Sequence, residues 1–374
     1  MTVVFVSKQK RYWRVRLLYN GIEHLRCNSN SIPQLAPPFE GREISEQRLK
    51  GMLIGLAIGD ALGNTSEGML PERRLSKFGW IETYLPNRYA SGKKSGLPSD
   101  DTQMSFYLLE HLIDNKALNA EKLAKIFVSR EIFGMGSSVK EFRENIRSGI
   151  SWQKAGSRSA GNGALMRIAP IVGPYIKFPS KKLWLDAAIC SSVTHNDPAS
   201  IACCVAYVWL LSNLLVFDDW PDPEWWLTSF SDIAVPLEGD TRYKPRGGLR
   251  KGIYEGPISV FTINEVQKAL EADLGTLDFN NLVYSGAYLM ETMPCVLFIL
   301  AKYGKDPERA ILEAVNNTKD NDTIASIVGA AVGAYHSLEG LPEHLVKNLS
   351  GRLSTTDDNK IFELSEFASA TWLS

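Results

Sequence analysis

The chain has 374 residues, of which 44% are hydrophobic and 22% are charged, and its formal net charge at pH 7 is −1. A chain of this length and composition buries a large core, and its near-neutral charge excludes a protein that binds nucleic acid through an overall basic field. Its five cysteines lack metal-ligand spacing, so we expect reduced, buried thiols. No signal peptide opens the chain, and the longest apolar run, residues 201–217, is too short for a membrane span, which predicts a cytoplasmic protein.

The N-terminal residues differ in composition from the rest of the chain. Residues 3–6 and 12–19 have the composition of strands, and Asn20-Gly21 is typical of a turn. We therefore predict a small extension that contains a β-hairpin. Residues 29–38 carry three prolines and are typical of a linker.

This extension is also basic, because six Lys and Arg side chains oppose the single acidic residue Glu23 before Cys27. Two interpretations stay open. The extension is either a small decoration packed on the main domain or an arm that docks, through basic and aromatic side chains, on an acidic partner surface. We divide the chain into an N-terminal extension and linker, residues 1–43, and a main domain, residues 44–374.

A helical stretch rich in glycine and alanine, residues 51–63, opens the main domain. Glycine has no β-carbon, so such a stretch leaves room for another helix to pack closely against its backbone. Asp60 lies within it, and we expect this carboxylate to have a structural role, capping a helix or supporting a metal ligand. Glu67 comes seven residues later and, judged by its type alone, is as compatible with a solvated loop as with a site.

Two short acidic clusters lie some 220 residues apart, at residues 99–102 (Ser-Asp-Asp-Thr) and 320–323 (Asp-Asn-Asp-Thr), and each precedes a stretch with helical periodicity. In one interpretation they are the capped starts of two helices, Ser99 being a good N-cap residue. However, adjacent carboxylates repel one another unless a positive charge lies between them. Oxygen ligands suit magnesium, manganese or calcium, whereas zinc more often takes histidine or cysteine. The clusters therefore predict one metal site, of the two-metal magnesium type.

Three further segments stand between the clusters: residues 133–137 (Phe-Gly-Met-Gly-Ser), residues 159–170 (beginning Ser-Ala-Gly-Asn-Gly-Ala), and Thr194-His195 before an alanine-rich helix. In this order, and together with the segments above, residues 48–345 resemble the ADP-ribosylglycohydrolase family, of the dinitrogenase-reductase-activating glycohydrolase type. The resemblance implies an all-α fold, a compact orthogonal helical domain that holds two Mg²⁺ or Mn²⁺ ions in a cleft and releases ADP-ribose from a modified protein.

The resemblance also implies roles for individual residues. The metal ligands match Ser99, Asp100, Asp101, Asp320, Asp322 and Thr323. The catalytic residues match Glu67, Asp100 and Asp101, where Glu67 completes the proton transfers while the metals grip the ribose hydroxyls and orient a water. Substrate contacts match Gly134, Gly136 and Ser137 near the diphosphate, Gly161, Asn162 and Gly163 near the ribose, and His195 near the adenosine.

Other interpretations of some of these residues stay open. His195 is either a structural histidine or a substrate contact, and Asn162 is either a turn residue or a ligand contact. Tyr284 and Tyr288 either stack on adenine or fill the core. The loop at residues 218–255, with a basic, glycine-rich piece, is a lid, a partner surface or a disordered loop.

One departure from the family pattern is visible in the second cluster, which is commonly preceded by two glycines. Here Thr318 and Lys319 stand at those positions. The lysine stabilises the carboxylates, contacts the substrate or marks a weakened second metal site.

The functional hypothesis is a metal-dependent hydrolase that removes ADP-ribose from proteins modified on arginine. The layout also resembles immunity proteins in which an N-terminal extension blocks an ADP-ribosyltransferase toxin, so residues 1–43 become the expected toxin contact. The alternative is a binding or inhibitor protein on a catalytically weakened hydrolase scaffold. A third, remote hypothesis is another all-helical magnesium enzyme that acts on a diphosphate.

Overall fold

The computed structural model describes residues 22–94, 96–354, 356–357 and 359–373. Helices dominate this part of the chain, which confirms the all-α prediction. The α-helices are α1 (Glu46–Gly63), α2 (Pro71–Phe78), α3 (Asp100–Asn115), α4 (Ala120–Ser129), α5 (Ser137–Arg147), α6 (Trp152–Ala155), α7 (Lys182–Ser192), α8 (Pro198–Leu214), α9 (Pro223–Ala234), α10 (Ile258–Glu271), α11 (Thr276–Val283), α12 (Leu289–Tyr303), α13 (Pro307–Asn317), α14 (Asn321–His336), α15 (Glu343–Asn348) and α16 (Lys360–Trp372).

The strands of the described residues form two short antiparallel pairs. β1 (Pro86–Asn87) pairs with β2 (Lys93–Lys94), and β3 (Thr241–Tyr243) pairs with β4 (Tyr254–Gly256). The second pair and α9 account for much of residues 218–255, which the sequence left as a lid, a partner surface or a disordered loop.

The centre of the domain is a pair of helices, α1 and α14, that touch through their backbones. A β-carbon added to Gly55 would lie 2.2 Å from the carbonyl oxygen of Gly329, and one added to Gly59 would lie 2.1 Å from that of Ala325. Both distances are far below van der Waals contact, so glycine is required at these positions. This confirms the expectation that residues 51–63 admit a closely packed helix.

The contact between α1 and α14 continues to the C-terminal end of α1, which lies against the start of α14. A β-carbon on Gly63 would lie 2.5 Å from the Cα of Asp322. Asp60, one turn before Gly63, is fully buried at this end of the helix pair. The close packing therefore brings together acidic residues from the two ends of the main domain.

Residues 22–41 pack on the helical domain through apolar side chains and backbone hydrogen bonds. Ile32 and Phe39 are buried. The indole Nε1 of Trp184 in α7 donates a hydrogen bond to the carbonyl of Ala36 (2.8 Å), and the backbone N–H of Asn28 donates to the carbonyl of Leu237 (2.9 Å). The predicted strands at residues 3–6 and 12–19 lie outside the described residues, and the division of the chain at residue 43 stays a prediction.

All five cysteines are free thiols, four of them buried and Cys27 partly buried. Burial raises the pKa of the thiols, to about 11 for Cys27 and for Cys190, so these side chains stay protonated at neutral pH. No helix among the described residues combines the length and apolar character needed to cross a bilayer.

Candidate active site

One cleft collects residues from both acidic clusters and from all three segments between them. It is lined by Glu67, Asp100, Asp101, Gly134, Gly136, Ser137, Ser138, Val139, Gly161, Asn162, Gly163, Met166, His195, Ala287, Asp320, Asp322 and Thr323. Every site residue predicted from the sequence lies here except Ser99, which is buried beside the cleft. The sequence interpretation missed Ser138, Val139, Met166 and Ala287; three of these are apolar and carry no chemical signal, and Ser138 directly follows the predicted Ser137.

The carboxylates of the cleft form two overlapping groups. Asp60, Asp101 and Asp322 each place a carboxylate oxygen within 4.8 Å of the other two, and so do Glu67, Asp320 and Asp322. Oδ1 of Asp101 is buried and has no hydrogen-bond partner among the described residues. A buried oxygen without a donor, surrounded by further carboxylate oxygens, fits a hard divalent cation.

Burial and mutual repulsion strongly disfavour the charged forms of these acids. Burial raises the pKa of Asp100, Asp101 and Asp322 well above the ordinary range, and in each case neighbouring carboxylates raise it further. Burial, and then the charge of Asp320, raise the pKa of Glu67 to about 7. The group therefore reaches full ionisation at neutral pH only when a positive charge joins it.

Asp60 holds the first acidic cluster in place. Its carboxylate accepts hydrogen bonds from the backbone N–H groups of Ser99 and Thr102 (2.9 Å each) and from the Ser99 hydroxyl (2.6 Å). Asp60 in α1 thus caps α3 from another helix. Ser99 occupies the N-cap position that the sequence predicts, but its side chain donates to Asp60 and makes no capping bond of its own.

Asn162 connects the glycine loop to the second cluster. Its amide nitrogen donates hydrogen bonds to Oδ2 of Asp320 (2.6 Å) and to the hydroxyl of Thr292 (3.0 Å). Both amide protons are used in these two contacts. Asn162 therefore orients the Asp320 carboxylate, and Thr292, which no motif indicates, orients Asn162.

His195 packs against the glycine loop at residues 161–163. A β-carbon on Gly163 would lie 2.9 Å from Cε1 of His195, which explains the glycine at this position. Nδ1 of His195 is hydrogen-bonded to the hydroxyl of Thr194 (2.8 Å). Burial and the charge of Arg167 lower the pKa of His195 to about 3, so the imidazole is neutral at physiological pH.

The N-terminus of α5 opens into the cleft. Gly136 is its N-cap, and no side chain of the described residues caps it. The following residues Ser137, Ser138 and Val139 line the cleft. Unpaired N–H groups at a helix start favour anions. Gly134 has a positive φ of 75°, which suits glycine, whereas Gly136 has ordinary dihedral angles and open space around it.

Thr318 and Lys319, which depart from the family pattern, lie in a well-packed turn. The hydroxyl of Thr318 donates to the carbonyl of Ala314 (2.6 Å), and Thr318 is fully buried. The ammonium group of Lys319 lies 5.2 Å from the centre of the Tyr284 ring. Its positive charge lies close enough to Asp320 to oppose the rise that burial causes in the pKa of that carboxyl.

The loop at residues 218–255 contacts the side of the cleft next to Ala287 through its basic, glycine-rich part. Arg246 forms an ion pair with the buried Glu291 (2.5 Å), and the hydroxyl of Tyr243 donates to the same carboxylate (2.7 Å). The rings of Tyr243 and Tyr288 stack with their centres 5.5 Å apart. Tyr288 thus packs against protein on one face, and this part of the loop is ordered by an ion pair.

The family model for ADP-ribosylglycohydrolase matches residues 42–371. A relative named ADP-ribosylarginine hydrolase Tri1, from Pseudomonas putida (strain GB-1), is 25% identical over 315 residues, which cover 81% of this chain and 74% of the relative. ADP-ribosyl-[dinitrogen reductase] glycohydrolase from Rhodospirillum rubrum is 24% identical over 316 residues, which cover 81% and 90%. A solved chain of an ADP-ribosylglycohydrolase-related protein complex has the same fold, with a TM-score of 0.58 at 22% identity over 88% of this chain and 98% of that one.

The all-helical domain, with a cleft that joins acidic residues to glycine-rich turns, and the family match together define a glycohydrolase. Because the match spans most of its length, the chain belongs to the ADP-ribosylglycohydrolase family, whose members act on ADP-ribosylated proteins. This confirms the resemblance inferred from the ordered motifs and the expectation of a glycohydrolase enzyme.

Proposed function

We propose that the protein is a divalent-metal-dependent hydrolase that releases ADP-ribose from proteins modified on arginine. The observation that carries this proposal is the set of carboxylates around one cleft, all of them buried except Glu67, with an Asp101 oxygen left without a donor among the described residues. Two Mg²⁺ or Mn²⁺ ions would be held by Ser99, Asp100, Asp101, Asp320, Asp322 and Thr323. When bound, such ions supply Lewis-acid chemistry to the ribose hydroxyls and a water.

The chain's own residues position the metal ligands and bind the substrate. Asp60 keeps Ser99, Asp100 and Asp101 in position by capping α3, and Asn162 orients Asp320. The free N–H groups at the start of α5 suit the diphosphate. Neutral His195 supports the loop at residues 161–163, which borders the ribose.

Glu67 is the proposed acid and base. Water adds to C1 of the distal ribose as the bond from that carbon to the arginine nitrogen breaks. The proton of the water passes to Glu67 and then to the departing nitrogen, so that ADP-ribose and unmodified arginine leave. A carboxyl whose pKa lies near 7 suits a group that must both take and give a proton at neutral pH.

The relative named ADP-ribosylarginine hydrolase supports arginine as the modified residue. The test is release of ADP-ribose, followed by mass spectrometry, from an arginine-modified and a serine-modified protein, with Mg²⁺ and with chelator. Metal-dependent release from the arginine-modified protein alone supports the proposal. Release from the serine-modified protein alone overturns the linkage, and release of inorganic diphosphate overturns the reaction class.

We propose a second function for the residues that precede the family match, which begins at residue 42. Residues 1–21 carry five basic and no acidic side chains, together with aromatic residues, and this composition suits an arm that blocks the active site of an ADP-ribosyltransferase toxin. The protein would then be an immunity protein that also reverses the modification. The alternative, a binding protein on a weakened hydrolase scaffold, rests on Thr318 and Lys319.

Deletion of residues 1–21 separates these functions, because residues 22–41 pack on the domain and are kept. The deletion is expected to abolish inhibition of the transferase while hydrolysis continues. Asp100→Ala is expected to abolish hydrolysis while inhibition continues. If the intact protein binds the transferase but never hydrolyses the modified protein, the scaffold alternative holds.

A further inference from the structure

Arg74 in α2 is a fully buried arginine that makes no hydrogen bond or ion pair with a carboxylate among the described residues, although the charge of Asp322 acts on it. Its guanidinium donates to a serine hydroxyl and to several backbone carbonyls. Burial lowers the pKa of this group to about 10, with the charge of Asp322 opposing the decrease, so the guanidinium stays charged at neutral pH. A charged side chain is rarely buried unless its donors are hydrogen-bonded to acceptors in the protein.

The acceptors of Arg74 belong to two separate segments of the active site. On one side, its Nε donates to the hydroxyl of Ser66 (2.9 Å) and its Nη2 to the carbonyl of Met69 (2.9 Å), which bracket Glu67. On the other side, its Nη1 donates to the carbonyls of Asn316 (3.1 Å) and Thr318 (2.7 Å), which precede Asp320.

The two segments meet again at the Ser66 hydroxyl. The amide nitrogen of Asn321 donates to this oxygen (3.0 Å), and Asn321 lies between Asp320 and Asp322. The backbone N–H of Gly68 also donates to the carbonyl of Lys319 (3.0 Å). Arg74 and Ser66 therefore form a bridge from the Glu67 loop to residues 316–321, which contain Asp320 and directly precede Asp322.

We propose that Arg74 is a positioning residue that sets the distance between the Glu67 carboxylate and the Asp320 and Asp322 carboxylates. The inference rests on the proposed function of these acids. A planar group with five fixed N–H donors can hold two backbone turns in one relative geometry, which a flexible ammonium group cannot do. Removing it leaves the carbonyls of Thr318 and Met69 without this donor and lets the Glu67 loop shift.

The test compares Arg74→Gln and Arg74→Lys with the intact chain and with the control Lys50→Gln. Lys50 is also a buried cation, paired with Glu366 (2.6 Å) and Glu46, but its partners are outside the cleft. For each protein one measures kcat and KM for release of ADP-ribose, Mg²⁺ affinity by calorimetry, and the melting temperature. Reactions of Arg74→Gln are repeated with millimolar guanidinium chloride.

Both Arg74 variants are expected to lose about 100-fold in kcat, because small displacements of reacting groups have effects of that size. KM is expected to change by less than about threefold, since the changed loop does not form the diphosphate site. Mg²⁺ is expected to bind more weakly, and guanidinium to restore part of kcat. Wild-type kcat and Mg²⁺ affinity in Arg74→Gln, or equal losses in Lys50→Gln at a matched melting temperature, overturn the proposal.

If Arg74→Gln does not fold, Ser66→Ala takes its place, because it removes only the shared hydroxyl and is expected to weaken Mg²⁺ binding in the same direction. Unchanged Mg²⁺ affinity in Ser66→Ala then overturns the proposal. If the intact chain binds Mg²⁺ but releases no ADP-ribose from any modified protein, the proposed function fails instead, and the calorimetric comparison of the Arg74 variants still decides the positioning role.

Discussion

Gly59 of α1 lies against the carbonyl of Ala325 in α14 so closely that an added β-carbon would be 2.1 Å from the oxygen. In an isolated helix, replacing glycine by alanine is favourable by about 1 kcal/mol. Here the clash is with backbone, which cannot move aside without separating α1 from α14. The close approach thus reverses the usual effect of this substitution.

Gly59→Ala is therefore expected to lower the free energy of unfolding by about 3 kcal/mol, at the upper end of the usual cost of overpacking. Urea unfolding followed by circular dichroism measures this change. Gly239→Ala is the matched control, because a β-carbon there meets no atom within 4 Å. Equal stability of the two variants would contradict the described contact between α1 and α14.

Asp322→Asn is expected to have opposite effects with and without metal. In chelator it removes one of several repelling carboxylates, so the melting temperature is expected to rise. With Mg²⁺ the variant is expected to gain no further stability and to release no ADP-ribose. Differential scanning fluorimetry with chelator and with Mg²⁺ measures both effects. The exposed Asp114→Asn is the control, and a fall in the melting temperature of Asp322→Asn in chelator would count against mutual repulsion.

The metal-free protein is expected to become less stable as the pH rises from about 5.5 to 8. The folded-state pKa values of Glu67, Asp100, Asp101 and Asp322 are raised, so the folded protein binds more protons than the unfolded chain in this range. Stability is then fully present at low pH and is lost as the pH passes the folded-state pKa values, by about 1.4 kcal/mol per pH unit for each proton. Glu67, at about 7, titrates inside this range.

Saturating Mg²⁺ is expected to flatten this pH dependence, because the cation favours the charged carboxylates. Melting temperatures across the pH range, in chelator and in Mg²⁺, make the comparison. A metal-free protein whose stability rises steadily from pH 5.5 to 8 would show that the buried acids are not the groups that dominate this range.

Gly163→Ala is expected to weaken ADP-ribose binding, because the new β-carbon would lie 2.9 Å from Cε1 of His195 and displace either the loop or the ring. His195→Ala removes the clashing ring, so the double variant is expected to lose less affinity than the two single variants together. Calorimetric titration with ADP-ribose measures the three variants. Strictly additive losses of affinity would show that the glycine loop and His195 do not interact.

The parts of the site that carry chemical side chains in ordered motifs could be predicted from the sequence. The density of oxygen donors in the two acidic clusters predicts that Asp100 and Asp322 share one site, and both line the cleft. The glycines of residues 51–63 predict the close helix contact. The capping of α3 by Asp60 could not be assigned, because its acceptor atoms and the N–H groups of Ser99 and Thr102 are adjacent only in the folded chain. Arg74 gave no signal at all, since most of its partners are backbone carbonyls, which every residue has.

The glycine contact between α1 and α14 also constrains when the protein can become active during synthesis. Asp60 and Asp322 are about 260 residues apart along the chain, and the helix that carries Asp322 ends at His336, near the end of the sequence. Contacts between such distant segments form late, because a long loop must first close. A ribosome-bound chain that ends before residue 320 lacks Asp320 and Asp322, so neither carboxylate group of the cleft is complete. Truncation before residue 320 is therefore expected to remove both the proposed metal binding and hydrolysis.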